Sequence, residues 1–184
     1  IILTCLASRL SNKQIVWVED RMEHLTAASS ATGRLTKIKA SVDSKGFIQA
    51  LDYDQIDDVG AYPRAPEPAS LYRMHGNLSG AYKVKNIRCR NRVILTNKTP
   101  SGLNRGFGGP QHYFALERLV HQIAVELKLN VLDVIKINLL EKNQFPYKSP
   151  SGALLDSGNF QKLVKKVIES STYKKILKNK NDSV

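Results

Sequence analysis

At 184 residues the chain has the length of one domain or two small ones, and its 42% hydrophobic and 24% charged residues with 11 Gly and 7 Pro exclude collagen-like, low-complexity and disulfide-scaffold classes. Charge is the outlier, 28 Lys and Arg against 16 Asp and Glu for a formal +12. Beyond residue 160 there are seven lysines against Glu169 and Asp182, with one aromatic, Tyr173. This reads as a basic tail plus solvated faces, since a nucleic-acid surface interleaves aromatics with arginine; no nucleic acid is expected. Only Cys5 and Cys89 are present and no apolar run nears the ~20 residues of a bilayer span, so a cytoplasmic chain without a membrane or a cysteine-only metal site is expected.

The opening IILTCLASRL, with no basic leader or clear cleavage site, reads as the end of an apolar helix, and with Ile1 in place of Met a fragment, a processed chain or a reading frame cut from something longer is expected. Gln14 to Glu19 (QIVWVE) predicts a strand from its β-branched and aromatic content, followed by a turn at Asp20-Arg21. Arg34 to Asp43 alternates as a strand, Ser44-Lys45-Gly46 turns, and Phe47 to Asp57 returns as the second arm of a hairpin. Pro63, Pro66 and Pro68 place a loop, Ser70 to Leu78 a short helix, and Ile87 to Thr96 another strand. The glycine-dense run Pro100 to Pro110 opens a helix over Gln111 to Leu129, with Pro110 in its first turn. Asn130 caps a second helix through Leu140. Asn143 to Asn159 reads as loop, and Asp156 and Ser157 as caps for a last helix from Phe160 to about Leu177. This order, strands first and helices after, predicts an α+β fold with mixed sheet and hairpins covered by helices.

The glycine run carries the strongest chemical signal. It follows a strand and opens a helix, so its backbone amides can face an anion or a metal-bound oxygen, and glycine there permits close approach and positive φ. It is no dinucleotide fingerprint, because the third glycine would fall at Gln111, and no P-loop, because no Gly-Lys-Ser/Thr follows. The plainer alternative is a tight strand-to-helix connection. Phe107 between glycines is either a packed anchor or a face for a planar substrate. Arg105 is either an anion-steering cation or half of a surface ion pair, and Asp20-Arg21 either a turn pair or an arginine presented to a pocket. His24, His75, His112 and His121 show no ligand spacing, Ser171 and Lys174 fall together by chance in a lysine-rich helix, and the sequons at Asn77 and Asn97 lack a secretory route. Glu19, Glu23, Glu117, Glu126 and Glu141 form no pair that spacing alone places in a cleft.

The segment Gly102-Leu-Asn-Arg-Gly-Phe-Gly-Gly-Pro-Gln111 resembles the active-site loop of molybdenum hydroxylases, the xanthine dehydrogenase and aldehyde oxidase family. The resemblance continues through Val16-Trp-Val-Glu-Asp-Arg-Met-Glu-His-Leu25, Gly60-Ala-Tyr-Pro63, Val84-Lys-Asn-Ile-Arg88, Leu116-Glu-Arg-Leu119, Asn138-Leu-Leu140, Phe145-Pro-Tyr147 and Asp156-Ser-Gly158, about residues 1–175. It implies a piece of the large, molybdopterin-binding subunit, with residues 1–160 a truncated first molybdopterin-binding domain and 161–184 a basic helix and tail. It also implies molybdenum–molybdopterin, in some members as the cytosine dinucleotide, with iron–sulfur clusters and FAD on partner subunits or domains.

By position, the resemblance assigns Arg105 (through its backbone amide near the molybdenum oxygens) and Gly106 to the cofactor, and Phe107 and Arg21 to an aldehyde or heterocyclic substrate. Phe107 would stack on aromatic substrates, and Arg21 would stabilise negative charge developing on them. Gly106 stands where carbon monoxide dehydrogenases carry a copper-binding cysteine, which favours a hydroxylase of aldehydes or heterocycles. The family's upstream glycine-rich cofactor loop and its downstream general-base glutamate are absent from these 184 residues. No catalytic residue is therefore expected in this chain, and inactivity alone is. A non-catalytic remnant or assembly subunit is the rival reading.

Overall fold

The computed structural model describes residues 1–31 and 33–181. Strands β1 (Gly33–Val42) and β2 (Ile48–Asp58) form the expected antiparallel hairpin. Its turn closes because Asp43 Oδ1 accepts from the Lys45 and Phe47 amides, both at 2.9 Å, while Gly46 takes φ +83°, a conformation only glycine adopts cheaply. Strand β3 (Asn86–Ile94) then pairs parallel to β2, from Ala50 opposite Asn86 to Asp58 opposite Ile94, giving the order β1-β2-β3. A parallel neighbour needs a crossover. It contains the short helix α3 (Ala69–Tyr72) and a 3-10 turn (Arg73–Asn77), where a single helix was expected.

Period-two alternation divides the sheet. Ile38, Ala40, Leu51, Tyr53, Ile87 and Cys89 face inward. On the solvent face, register sets Lys39 beside Asp52 beside Arg88, and Lys37 beside Asp54 beside Arg90. Arg88 pairs with Asp52 and Arg92 with Asp54, each at 2.5 Å, and the Arg88 guanidinium holds the Asp52 carboxyl below its ordinary range.

Helix α4 (Gly109–Glu126) lays Leu116, Val120, Ile123 and Ala124 on the inner face of the sheet. Helix α5 (Val131–Asn138) begins as expected, with Asn130 Oδ1 accepting from the Leu132 amide at 2.8 Å, and buries Val134 in the same core. At its end Asn138 is buried and ties three segments together. Its Oδ1 accepts from the Ile48 amide, and its Nδ2 donates to the Gly46 and Val134 carbonyls, all at 2.8 Å. Helices over a mixed sheet make the α+β fold expected from the sequence.

The differences from expectation are local. Gln14 to Glu19 forms no strand. Val16, Trp17 and Val18 are 75%, 67% and 84% exposed. Strand propensity is expressed only against a pairing neighbour, and the described residues supply none there. Helix α1 (Ile2–Ser11), on its N-terminal side, and helix α2 (Arg21–Ala27), on its C-terminal side, bury no residue. The segment read as loop between 143 and 159 holds a small hairpin, β4 (Tyr147–Lys148) and β5 (Leu154–Leu155). The last helix is capped by Asn159, whose Oδ1 accepts from the Lys162 amide at 2.9 Å, rather than by Asp156 or Ser157. It also breaks in two, α6 (Phe160–Glu169) and α7 (Ser171–Asn181). Ser170 ends the first and its Oγ accepts from the Tyr173 amide at 3.2 Å, capping the second. Phe160 and Val164 of α6 pack against the core, and Phe160 meets Phe145 edge to face. Among the described residues no helix is long and apolar enough to cross a membrane.

Candidate functional site

The glycine run turns tightly before α4. Gly106, Phe107 and Gly108 have φ of +89°, +39° and +83° in succession. The Phe107 amide donates to the Asn104 carbonyl at 3.0 Å and the Gly109 amide to the Gly106 carbonyl at 2.9 Å, closing two overlapping turns. Two glycines are required by space as well as by φ. A Cβ on Gly106 would come within 2.8 Å of the Pro110 ring, and one on Gly108 within 1.9 Å of the Ser70 carbonyl oxygen. Phe107 has no such freedom, and a bulky side chain at positive φ stores strain of about 1–3 kcal/mol, the kind of outlier that concentrates at ligand-contacting loops.

Arg105, Gly106 and Phe107 thus share one short loop. Arg105 is exposed and its side chain makes no ion pair among the described residues. Its backbone amide is occupied by the Asn104 side chain, donating to Oδ1 at 2.8 Å. The Phe107 ring is half-buried, and the Arg73 guanidinium stacks on it 5.3 Å from the centroid. A cavity of about 190 Å³ opens beside the loop, lined by Ser70, Gly102, Asn104, Arg105, Phe107 and Gly108 among others.

Arg21 is the first residue of α2, behind an N-cap in which Asp20 and Glu23 exchange hydrogen bonds with each other's amides at 2.8 and 2.9 Å. Its side chain is exposed and makes no hydrogen bond or ion pair with Arg105 or Phe107 among the described residues. The two segments nevertheless meet at their bases. Ser30 and Ser101 form a parallel bridge, the Gly102 amide donates to the Ser30 carbonyl at 3.0 Å, and Thr99 Oγ1 donates to the Thr26 carbonyl at 3.2 Å.

A polar network that sequence reasoning missed lies beneath the loop. Arg34 and Asp57 are cross-strand partners and form a bidentate pair, Nε to Oδ1 at 2.5 Å and Nη2 to Oδ2 at 2.7 Å. Their side chains are 2% and 0% exposed. Arg34 Nη2 also donates to the Ser70 carbonyl at 2.9 Å, and Ser70 Oγ donates to Glu67 Oε2 at 2.6 Å. Beside it, the His112 ring in the first turns of α4 packs against Tyr53 and Tyr113, and burial pushes its pKa down to about 4. A charge pair 23 residues apart, and a histidine with no ligand spacing, carry no local signal. The one available hint was Arg34 and Asp57 at inward positions of two alternating strands.

Among the described residues no group of three His, Cys, Asp or Glu could hold a metal ion. What the loop offers a ligand is backbone, a cation and an aromatic edge. Residues 1–139 match the model of a molybdopterin cofactor-binding domain. The chain belongs to that family. Its relatives are molybdenum hydroxylases and their kin. The chain is 27% identical over 174 residues to the carbon monoxide dehydrogenase large chain of Hydrogenophaga pseudoflava, covering 91% of this chain and 21% of that one. It is 27% identical over 173 residues to aldehyde oxidase 1 of Bos taurus, covering 93% of this chain and 12% of that one. Its structure superposes on quinoline 2-oxidoreductase from Pseudomonas putida 86 with a TM-score of 0.86 and 26% identity, covering 99% of this chain and 23% of that one. The chain therefore spans about a fifth of the length of the bacterial carbon monoxide dehydrogenase large chain it matches.

Proposed function

We propose that this molybdopterin cofactor-binding domain chain forms one wall of the site of a molybdenum-dependent oxidoreductase that hydroxylates aldehydes or N-heterocycles. In that reaction a substrate C–H becomes C–OH with oxygen from water, and two electrons and two protons leave. The observation that carries the reading is the glycine loop, which sets Arg105, Gly106 and Phe107 in consecutive positions at a cavity edge, two of its glycines being required by both φ and space.

The residues present fit such a group as a wall. Gly106 and Gly108 let the loop turn tightly against Pro110 and Ser70 at the edge of a cavity, and the Arg105 guanidinium, with no ion pair among the described residues, is available to anionic groups. When bound, the molybdenum–molybdopterin group, in its cytosine dinucleotide form in some relatives' branch, would supply the two-electron chemistry. Arg105 and Gly106 would face it through the loop backbone, with the Asn104 side chain giving way at the Arg105 amide. Phe107 would orient a planar substrate with the ring face that Arg73 leaves open. Arg21 would come to the same pocket from α2 and stabilise negative charge on the substrate. The general base is expected outside these residues, as are the iron–sulfur and FAD partners. Residues 1–160 would be the partial domain and 161–184 a basic appendage, in a cytoplasmic complex. Glycine at 106 favours the hydroxylase branch over the copper-containing one.

The bare apolar surface of α1, Val16 to Val18 and α2 supports the need for further protein around this wall. The test is to assemble the chain with the remainder of a large subunit and measure bound molybdenum, bound pterin and turnover of aldehyde and quinoline-type substrates. Metal and pterin retained only on assembly, with Phe107→Ala raising KM for aromatic substrates, is the expected result. Assembly without cofactor or turnover would establish the non-catalytic assembly subunit instead.

A further inference from the structure

We propose that the buried Arg34–Asp57 pair is a positioning device for the glycine loop, acting through the backbone carbonyl of Ser70. The connection is continuous. Asp57 holds both Nε and Nη2 of Arg34, so the guanidinium has one orientation. The same Nη2 grips the Ser70 carbonyl oxygen at 2.9 Å. That oxygen is the atom a Cβ on Gly108 would strike first, at 1.9 Å, so the carbonyl is the surface on which the Gly108 backbone rests.

Glu67 fixes the same residue from the other side, accepting from the Ser70 amide at 3.1 Å and from its hydroxyl at 2.6 Å. Three residues along the crossover, Arg73 stacks on Phe107. The segment from Ser70 to Arg73 therefore holds the loop at two points, and the Arg34–Asp57 pair holds that segment to the sheet, Arg34 Nη2 donating to the Ser70 carbonyl and Asp57 Oδ2 accepting from Ser70 Oγ at 3.5 Å. Gly108 is also the N-cap of α4 at φ +83°, with no side-chain cap of its own, so support for this turn comes from what it leans on.

A bidentate ion pair withdrawn from water stabilises a fold poorly compared with apolar residues of similar volume. Its value here is geometric: it delivers a donor to one carbonyl with a fixed direction. Arg34 and Asp57 are thus positioning residues, and they touch neither cofactor nor substrate. The inference concerns the loop's geometry. Its consequence for substrate rests on the function proposed above.

The test is amide hydrogen exchange on the 184-residue chain and on the double variant Arg34→Met, Asp57→Leu, which replaces the pair by apolar residues and removes only the grip on Ser70. The Phe107 and Gly109 amides, both hydrogen-bonded within the loop, are expected to exchange at least tenfold faster in the variant, while those of Tyr53, Val120 and Ala124 are unchanged. Loop exchange at the unaltered rate in a folded variant overturns the proposal.

A second measurement needs no variant. Exchange of the unaltered chain in rising denaturant is expected to show Ser70, Leu71, Phe107 and Gly109 opening as one unit, with the free energy and denaturant slope of the β1–β2 pair. Opening of 106–109 alone, before the pair, overturns it. In the assembled large subunit the double variant is then expected to raise KM for aromatic substrates with kcat little changed. A loosened loop with an unaltered KM would support the positioning role and remove the loop from the substrate site, which separates the two claims.

Discussion

Gly108→Ala puts one methyl group into the tightest approach among the described glycines. The new Cβ would lie 1.9 Å from the Ser70 oxygen, so the loop or the carbonyl must retreat by roughly 1 Å or more. The carbonyl is held by Arg34, which makes retreat costly. Overpacking of this kind costs about 1–3 kcal/mol, and alanine at φ +83° adds about 1–2 kcal/mol of backbone strain. Together they predict a loss of about 2–5 kcal/mol, or roughly 6–15 °C in Tm at about 3 °C per kcal/mol for a chain of this size. Gly152→Ala is the internal control, since Gly152 has φ +104° and a methyl group there would meet nothing within 4 Å, so only the strain applies. The assay is urea unfolding followed by far-UV circular dichroism on both variants. If Gly108→Ala loses no more than Gly152→Ala, the loop does not rest on Ser70 and the packing argument fails.

Three further outcomes can be checked. Asn138→Ala strands the Ile48 amide and the Gly46 carbonyl, at about 1–3 kcal/mol for each unsatisfied group, so urea unfolding should show a loss of about 2–6 kcal/mol; a loss under about 1 kcal/mol would mean water replaces the amide. His112 is neutral in the fold with its pKa pushed down to about 4, while the unfolded chain takes up its proton near 6.5. The unfolded state therefore binds more protons between these values, and the His112 contribution, complete above pH 6.5, is lost as pH falls towards 4, by about 3 kcal/mol. His112→Phe should flatten that part of the pH profile, and equal acid sensitivity in both proteins would contradict the assignment. Deleting residues 1–19 removes α1 and the unpaired apolar segment, neither of which buries a large side chain; Tm by circular dichroism should move by less than about 2 °C, and loss of cooperative unfolding would show that the segment packs.

The parts of the fold legible in the sequence are those with a short-range cause. The Asp43-to-Gly46 turn, the alternation of the two arms, Pro110 in the first turn of α4 and the Asn130 cap all follow from residues within a few positions of one another. The glycine loop was legible for the same reason. What escaped depends on distance. Gln14 to Glu19 has the composition of a strand and no partner among the described residues to make it one. The break at Ser170 falls inside an otherwise helical pattern, where a serine serves as the end of one helix and the cap of the next. The support beneath the loop needs Arg34, Asp57 and Ser70 from three elements, and the stacking of Arg73 on Phe107 spans 34 positions. Arg21 was legible as a residue at the end of an extended segment. Its relation to the loop is visible through the contacts of Ser30 with Ser101 and Gly102 and of Thr26 with Thr99.

The rows of charge on the sheet's outer face have a consequence for how copies of this chain meet. Among the described strands, β1 and β3 are both open edges, and an open edge is a template for pairing with another chain. The acids of each row sit on the central strand, while Lys37 and Lys39 lie on one edge and Arg88, Arg90 and Arg92 on the other. Any two edges brought together, like or unlike, set cation against cation. The central row of aspartates pairs with Arg88 and Arg92 and still leaves both edges cationic, so crowding these molecules should not zip their edges into a continuous sheet.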